Sequence, residues 1–132
     1  MSLGGLPGLP RMLTLATNIK ITAPKSSQAS ARATFAKLEA KLIPVSERMD
    51  VFALPGGGNL AYDYVPDAEA LTPAQMRSAP WLEITVDNLE TRKRQFLDAG
   101  FVTVEFRDQD HPYLAGPGGF VVRLALGGQP MM

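Results

Sequence analysis

The chain has 132 residues, with 13 basic and 13 acidic side chains and no net charge at neutral pH. Hydrophobic residues make up 45% of it and charged residues 20%, which is typical of one compact domain with its own core. Balanced charge provides no field to attract nucleic acid or an anionic membrane, and no apolar run approaches the roughly 20 residues of a membrane helix. The segment from Met1 to Pro10 lacks the features of a signal peptide. The sequence therefore predicts a cytoplasmic protein without nucleic-acid or membrane partners.

The content of cysteine and histidine limits the chemistry of any site. The absence of cysteine excludes disulfides, thiolate metal sites and a cysteine nucleophile. His111 is the only histidine, and it lies in a polar segment between Asp108 and Pro112. Adjacent residues of an irregular loop seldom converge on one ion. We therefore interpret His111 as a solvated turn residue rather than a metal ligand or a general base.

An internal repeat organises the sequence. Shifting the chain by 61 residues aligns it with itself without gaps, and places Phe35 on Phe96 among other matched apolar and glycine positions. The repeat predicts two modules, 13–65 and 81–127. The segment between them, 66–80, contains three prolines and is predicted to be a linker.

Both modules predict the same order of elements. A strand of alternating character opens each one, at 18–22 and at 81–86. A helix follows, because apolar residues recur at helical spacing from Ala31 to Leu42 in the first module, and the second helix is expected to stop at Gly100. Strand-forming runs come next, at 42–45, 51–54 and 59–65, and at 101–106, 113–115 and 120–126. The pattern is βαβββ, twice.

The second module resembles the vicinal oxygen chelate superfamily, which includes glyoxalases, bleomycin resistance proteins and extradiol dioxygenases. The resemblance rests on Trp81 to Gly100 (WLEITVDNLETRKRQFLDAG) followed by Gly116 to Leu124 (GPGGFVVRL). They match the superfamily's order of a strand, a V-D-D/N turn, a helix that ends at glycine and a D-P-x-G-x-x-x-E-L hairpin. The resemblance implies an α+β fold in which two tandem βαβββ modules form a curved, cup-like mixed sheet with the helices outside. It also implies a homodimer.

In that superfamily a metal is held by one residue from the first strand and one from the last strand of each module. Carried over to this chain, the four positions are Lys20, with Asn18 as its alternative, Tyr62, Trp81 and Arg123. None of these side chains supplies the imidazole nitrogen or carboxylate oxygen that divalent transition metals bind, and two of the four are cationic. The sequence therefore predicts no metal and no cofactor.

Strand alternation predicts the lining of the cup, because residues two apart lie on one face. The predicted ligand-binding residues are Lys20, Tyr62, Tyr64, Trp81, Glu83 and Arg123. Aromatic faces beside a guanidinium and an ammonium suit a flat ligand with a carboxylate or phosphate. Arg123 is then expected to anchor the acidic group and Trp81 to stack on the ring.

Other interpretations stay open. In a filled cup, Arg123 and Glu83 neutralise each other while Trp81 and Tyr62 pack as core aromatics, as in a non-catalytic interaction subunit. An error in strand register would instead hide the ligands of a metal-dependent lyase, isomerase or dioxygenase. The missing metal ligands favour a metal-free small-molecule binding module over an enzyme.

Overall fold

A computed structural model describes residues 13–127, so the segment from Met1 to Pro10 lies outside the described part of the chain. The elements are, in chain order, β1 (Asn18–Pro24), α1 (Gln28–Lys37), β2 (Lys41–Ser46), β3 (Met49–Ala53), β4 (Asn59–Val65), α2 (Pro73–Met76), β5 (Leu82–Thr85), α3 (Leu89–Ala99), β6 (Val102–Thr103), β7 (Tyr113–Ala115) and β8 (Val121–Ala125). None of the helices within 13–127 has the length and apolar character needed to cross a bilayer.

The strands form two four-stranded sheets of identical topology. The strand order is β1-β4-β3-β2 in the first sheet and β5-β8-β7-β6 in the second. In each, the first and last strands of the module pair in parallel and the other neighbours are antiparallel. The predicted α+β fold with βαβββ twice is confirmed. Each module contributes its own mixed sheet, and no strand pairing joins the two sheets within the described chain.

The first helix is shorter than its apolar spacing predicts. It ends at Lys37, and Glu39 then adopts a left-handed backbone with φ 61°. This conformation is incompatible with a continuing right-handed helix. Leu42 therefore lies in β2, where it is 37% exposed, and not on the buried face of α1. The second helix ends as expected, with Gly100 in the left-handed region at φ 117°.

A single core joins the helix-covered faces of both sheets. Phe35 of α1 stacks on Phe52 with 4.6 Å between the ring centroids. It also packs edge-to-face against Phe101 of the second module, with 6.3 Å between the centroids. The Thr34 hydroxyl donates to the carbonyl of Ala99 at 2.8 Å, which ties α1 to the end of α3. Because the helix-covered faces share this core, the opposite face of each sheet points away from it. We call these opposite faces the first-module face and the second-module face.

A buried ion pair fixes α1 on the first sheet. Asp50 of β3 is 0% exposed, and Arg32 of α1 donates to its two carboxylate oxygens at 2.8 Å each. The Tyr64 hydroxyl donates to the same carboxylate at 3.0 Å. The hydrogen bonds to Asp50, chiefly those from Arg32, hold its pKa below the usual value although the carboxylate is buried. Burial, together with the hydrogen bond to Asp50, raises the pKa of Tyr64. Tyr64 is thus committed to the core.

Candidate functional site

Two of the six predicted lining residues lie on the wrong side of their sheet. Side chains of β4 alternate in burial, and Tyr62 and Tyr64 are both on the buried, helix-covered side. Tyr62 packs edge-on against Phe35 at 5.7 Å, and its hydroxyl donates to the carbonyl of Pro117 at 2.7 Å. The expectation that the two tyrosines share a face with Lys20 is therefore wrong.

A one-residue difference between the modules explains this error. Lys20 of β1 pairs with Ala61, 41 positions later, whereas Glu83 of β5 pairs with Arg123, 40 positions later. A shift of one residue moves a strand side chain to the opposite face. The first-module residue that lies at the place of Arg123 is consequently Ala61 and not Tyr62.

The first-module face is open and positively charged. The ammonium of Lys20 lies 3.7 Å from the Asp63 carboxylate, and Arg48 lies 3.4 Å from the same group. The Lys20 side chain is 59% exposed, so water screens this pair strongly. Ala61 and Val51, which are neighbours across β4 and β3, provide an apolar floor beside the charges. The Asp63 carboxylate on this face thus has two cationic neighbours, Lys20 and Arg48.

The guanidinium of Arg123 occupies the middle of the second-module face. Its side chain is 3% exposed, and its Nη1 donates to the Glu83 carboxylate. Its Nε lies 3.7 Å from Asp108 and has no hydrogen-bond partner among the residues that the structure describes. Burial disfavours the charged form, but hydrogen bonds with Glu83 and Tyr113 outweigh burial and raise the pKa of Arg123. Glu83 and Arg123 therefore share the predicted face, with Arg123 already engaged by protein groups.

A histidine cluster that sequence reasoning missed lies against this guanidinium. His111 Nδ1 is 2.9 Å from an oxygen of Asp108, and the Tyr113 hydroxyl donates to the same oxygen at 2.9 Å. Burial opposes ionisation of Asp108, yet hydrogen bonds from the Asp110 amide, Tyr113 and His111 lower its pKa. The interpretation of His111 as a solvated turn residue is wrong, because its side chain is only 24% exposed. In the sequence, the only sign of this contact is Asp108, three residues before His111.

Aromatic side chains fill the rest of the second-module face. The ring of Trp81 lies 4.9 Å from Phe106 and 5.6 Å from Tyr113, and Phe106 lies 4.9 Å from Tyr113. Together with Val104, Ala115 and Val121 they form an apolar cluster separate from the main core. Trp81 also donates its indole N–H to the carbonyl of Arg77 at 3.1 Å. The chain itself thus covers much of this face.

A cavity of about 600 Å³ adjoins the aromatic cluster. The segment that connects β6 to β7 forms most of its wall, and Lys93 of α3 closes one side. Its lining includes Phe106, Arg107, Asp108, His111 and Tyr113. The volume falls within the range of about 300 to 1,000 Å³ that is usual for small-molecule sites.

The donor set does not fit the metal that the resemblance implies. Within residues 13–127, no group of three or more His, Asp or Glu side chains is arranged to hold a metal ion. Glu83, Asp108 and His111 each contact Arg123 or approach it within 4 Å. A fixed positive charge thus stands among them, and it would repel a divalent ion by several kcal/mol at about 4 Å even at an effective dielectric constant near 20.

Comparison with known proteins connects the chain to others through structure. No family model and no curated protein matches its sequence. A putative glyoxalase family protein from Bacillus anthracis is similar with a TM-score of 0.65 and 14% identity, over 88% of this chain and 97% of that chain. FosX from Listeria monocytogenes, a fosfomycin resistance protein solved with Mn(II) and 1S,2S-dihydroxypropylphosphonic acid, has a TM-score of 0.57 and 13% identity, over 89% and 93%.

A glyoxalase/bleomycin resistance protein from Streptomyces sp. CB03234 has a TM-score of 0.52 and 16% identity, over 83% of this chain and 98% of that chain. All three matches extend over nearly the whole length of the other protein, so the likeness covers both modules and is not confined to one. Identities this low bear on the fold and not on activity. The chain therefore has the fold of these glyoxalase-like, bleomycin-resistance and fosfomycin-resistance proteins.

Proposed function

We propose that this protein is a metal-independent binding module for a small aromatic or anionic molecule. The observation that carries the proposal is the guanidinium of Arg123, which is 3% exposed and engaged by Glu83 in the middle of the second-module face. A guanidinium remains protonated at every physiological pH. The chain therefore places a permanent cation among Glu83, Asp108 and His111, the side chains that a metal would otherwise need as ligands.

The ligand is assigned to the cavity beside the aromatic cluster, because Arg123 is buried and the cavity is open to a ligand. Arg123 is too buried to anchor an acid, so we assign it the role of holding Glu83 and Asp108 in position. The cavity beside the aromatic cluster has the required size, and its wall includes the ring of Phe106. Trp81 contacts Phe106 at 4.9 Å and will report on changes in the cavity.

We also propose that the protein is a homodimer in which the two kinds of face meet. Lys20 and Arg48 lie beside the single carboxylate of Asp63 on the first-module face, whereas the second-module face offers the partly exposed carboxylate of Glu83 beside the buried guanidinium of Arg123. Opposite charges favour contact between the first-module face of one copy and the second-module face of another. A two-fold axis satisfies both contacts at once. In such a dimer Lys20 and the partner's Glu83 meet in the contact between the two copies.

The dimer has a direct test. Sedimentation equilibrium at micromolar concentration is expected to give twice the mass of the chain. Lys20→Glu, which places like charges across the contact, is expected to shift the equilibrium toward the monomer, while Lys37→Glu on α1 serves as the control. A mass of one chain for the unmodified protein would contradict the dimer.

The binding proposal predicts ligand affinity without metal. Protein purified without chelator is expected to hold well under one equivalent of any transition metal by elemental analysis, before and after incubation with Zn²⁺, Ni²⁺, Fe²⁺ or Mn²⁺. Aromatic acids are expected to change the emission of Trp81, the only tryptophan, and chelator is expected to leave their affinity unchanged. A stoichiometric metal that is lost in Glu83→Ala or His111→Ala would place the protein among the metal-dependent enzymes instead.

A further inference from the structure

The orientation of the His111 ring is set by its neighbour. Asp108 lies 2.9 Å from Nδ1 and, as a carboxylate, accepts hydrogen bonds only. Nδ1 therefore carries the proton of the neutral ring, and Nε2 carries the lone pair. A carboxylate or carbonyl that holds one ring nitrogen in this way is a common means of fixing the tautomer of a functional histidine.

Arg123 does not use that lone pair. Its Nη2 is 3.1 Å from Nδ1 and also 3.1 Å from Nε2 of His111. In the plane of the ring, an atom equally distant from both nitrogens at this range would collide with Cε1, so Nη2 lies over the face of the ring. The lone pair of Nε2 points outward in the ring plane, away from this position. Nη2 of the guanidinium thus lies over the face of the imidazole, and the lone pair of Nε2 is left to act as an acceptor.

The same cavity provides positive charge for an acid. Lys93 and Arg107 both line it, and neither takes part in an ion pair with any of the residues from 13 to 127. Arg107 lies over the ring of Phe106 at 4.8 Å, which keeps its charge beside an aromatic surface. The carboxylates of the wall are Glu105 and Asp108, and Asp108 is already held by hydrogen bonds from His111 and Tyr113, so Lys93 and Arg107 are the cations with which an acid can pair.

We infer that His111 Nε2 is the acceptor that recognises the ligand in this cavity, and that the ligand is a small organic acid bearing a hydroxyl group. The inference rests on the proposed binding function and names its ligand class. The hydroxyl donates to Nε2, the acidic group pairs with Lys93 and Arg107, and the carbon frame lies against Phe106. Asp108 is a positioning residue in this arrangement, because it fixes the tautomer without touching the ligand.

The test compares two probes that differ in one donor. 4-Hydroxyphenylacetate and 4-methoxyphenylacetate have the same charge and ring, but only the first has a hydrogen to donate. Titration followed by Trp81 emission is expected to give about fivefold tighter binding of the hydroxyl probe, the ratio that a net hydrogen bond of about 1 kcal/mol provides. His111→Phe is expected to abolish this preference, and Gln109→Ala, which alters the same wall away from Nε2, is expected to retain it.

The outcomes separate the inference from the function on which it rests. Equal affinity of the two probes for the unmodified protein would overturn the role of His111 and leave the binding function standing. Absence of saturable binding of either probe at millimolar concentration would overturn both. If His111→Phe does not fold, ¹⁵N spectra of the unmodified protein decide, since a proton on Nε2 in place of Nδ1 contradicts the inference.

Discussion

Replacing Asp50 with alanine is expected to lower the free energy of unfolding by about 3 kcal/mol, near the lower end of the cost of breaking a buried ion pair. The change removes the acceptor of both Arg32 bonds and of the Tyr64 hydroxyl, which is then buried without a partner. The cost stays at the lower end because the Arg32 side chain is 42% exposed and can turn to water. Urea unfolding followed by circular dichroism measures the difference.

Asp63→Ala is the matched control. Asp63 also has two cationic partners, but Lys20 and Arg48 are mostly exposed and lie at 3.7 and 3.4 Å. Exposed pairs contribute at most about 1 kcal/mol. Equal stability of the Asp50 and Asp63 variants would show that the buried pair does not hold α1 on the first sheet.

Asp50 also gives the protein a defined response to acid. Its folded-state pKa is lowered, chiefly by Arg32, below the value of about 3.9 for an unfolded aspartate. The stabilisation is therefore fully present above about pH 4 and is lost as the pH falls through the folded-state pKa. Asp50→Asn removes this part of the dependence, so its stability is expected to fall less steeply with acid than that of the unmodified protein.

The fold could be predicted from the sequence because it is indicated by local patterns, namely repeated helix positions and turn glycines. Phe35 and Phe96 recur at the same place in two helices, and both are buried. Gly57 and Gly118 take positive φ values of 111° and 85°, as hairpin turns at those positions require. The length of α1 could not be predicted from the sequence, since its apolar spacing continues into β2 and the turn at residues 38–40, with Glu39 in the left-handed region, interrupts the helix.

The sequence predicts the candidate site only in part, because the register of each strand decides which face of the sheet a side chain lies on. Glu83 and Arg123 share a face, as strand alternation predicts, because they pair directly across β5 and β8. Tyr62 was misplaced by the single extra residue in the first module, which a gap-free repeat conceals. His111 was wrongly interpreted as a solvated turn residue, because the segment between β6 and β7 has no periodicity and the contact with Arg123 arises only from tertiary structure.

Replacing Arg123 with methionine is expected to cost about 3 to 4 kcal/mol of unfolding free energy, because it leaves charged groups buried without their cation. The side chains of Glu83 and Asp108 are 28% and 15% exposed, so neither is fully solvated when the guanidinium is absent. Methionine retains the length of the side chain and its contact with the neighbouring rings, which restricts the change to charge and hydrogen bonding.

Glu83→Gln in the same background separates this electrostatic role from packing. Without Arg123, the carboxylates of Glu83 and Asp108 are left without a cation, and Glu83→Gln removes one of these two negative charges. The double variant Arg123→Met/Glu83→Gln is therefore expected to be more stable than Arg123→Met alone. A double-mutant cycle in urea gives the coupling between the two positions, and its expected size is at least about 1.5 kcal/mol for a charge-assisted hydrogen bond. A coupling near zero would mean that Arg123 acts mainly through packing. The claim that this chain carries its own cation in place of a metal would then lose its support.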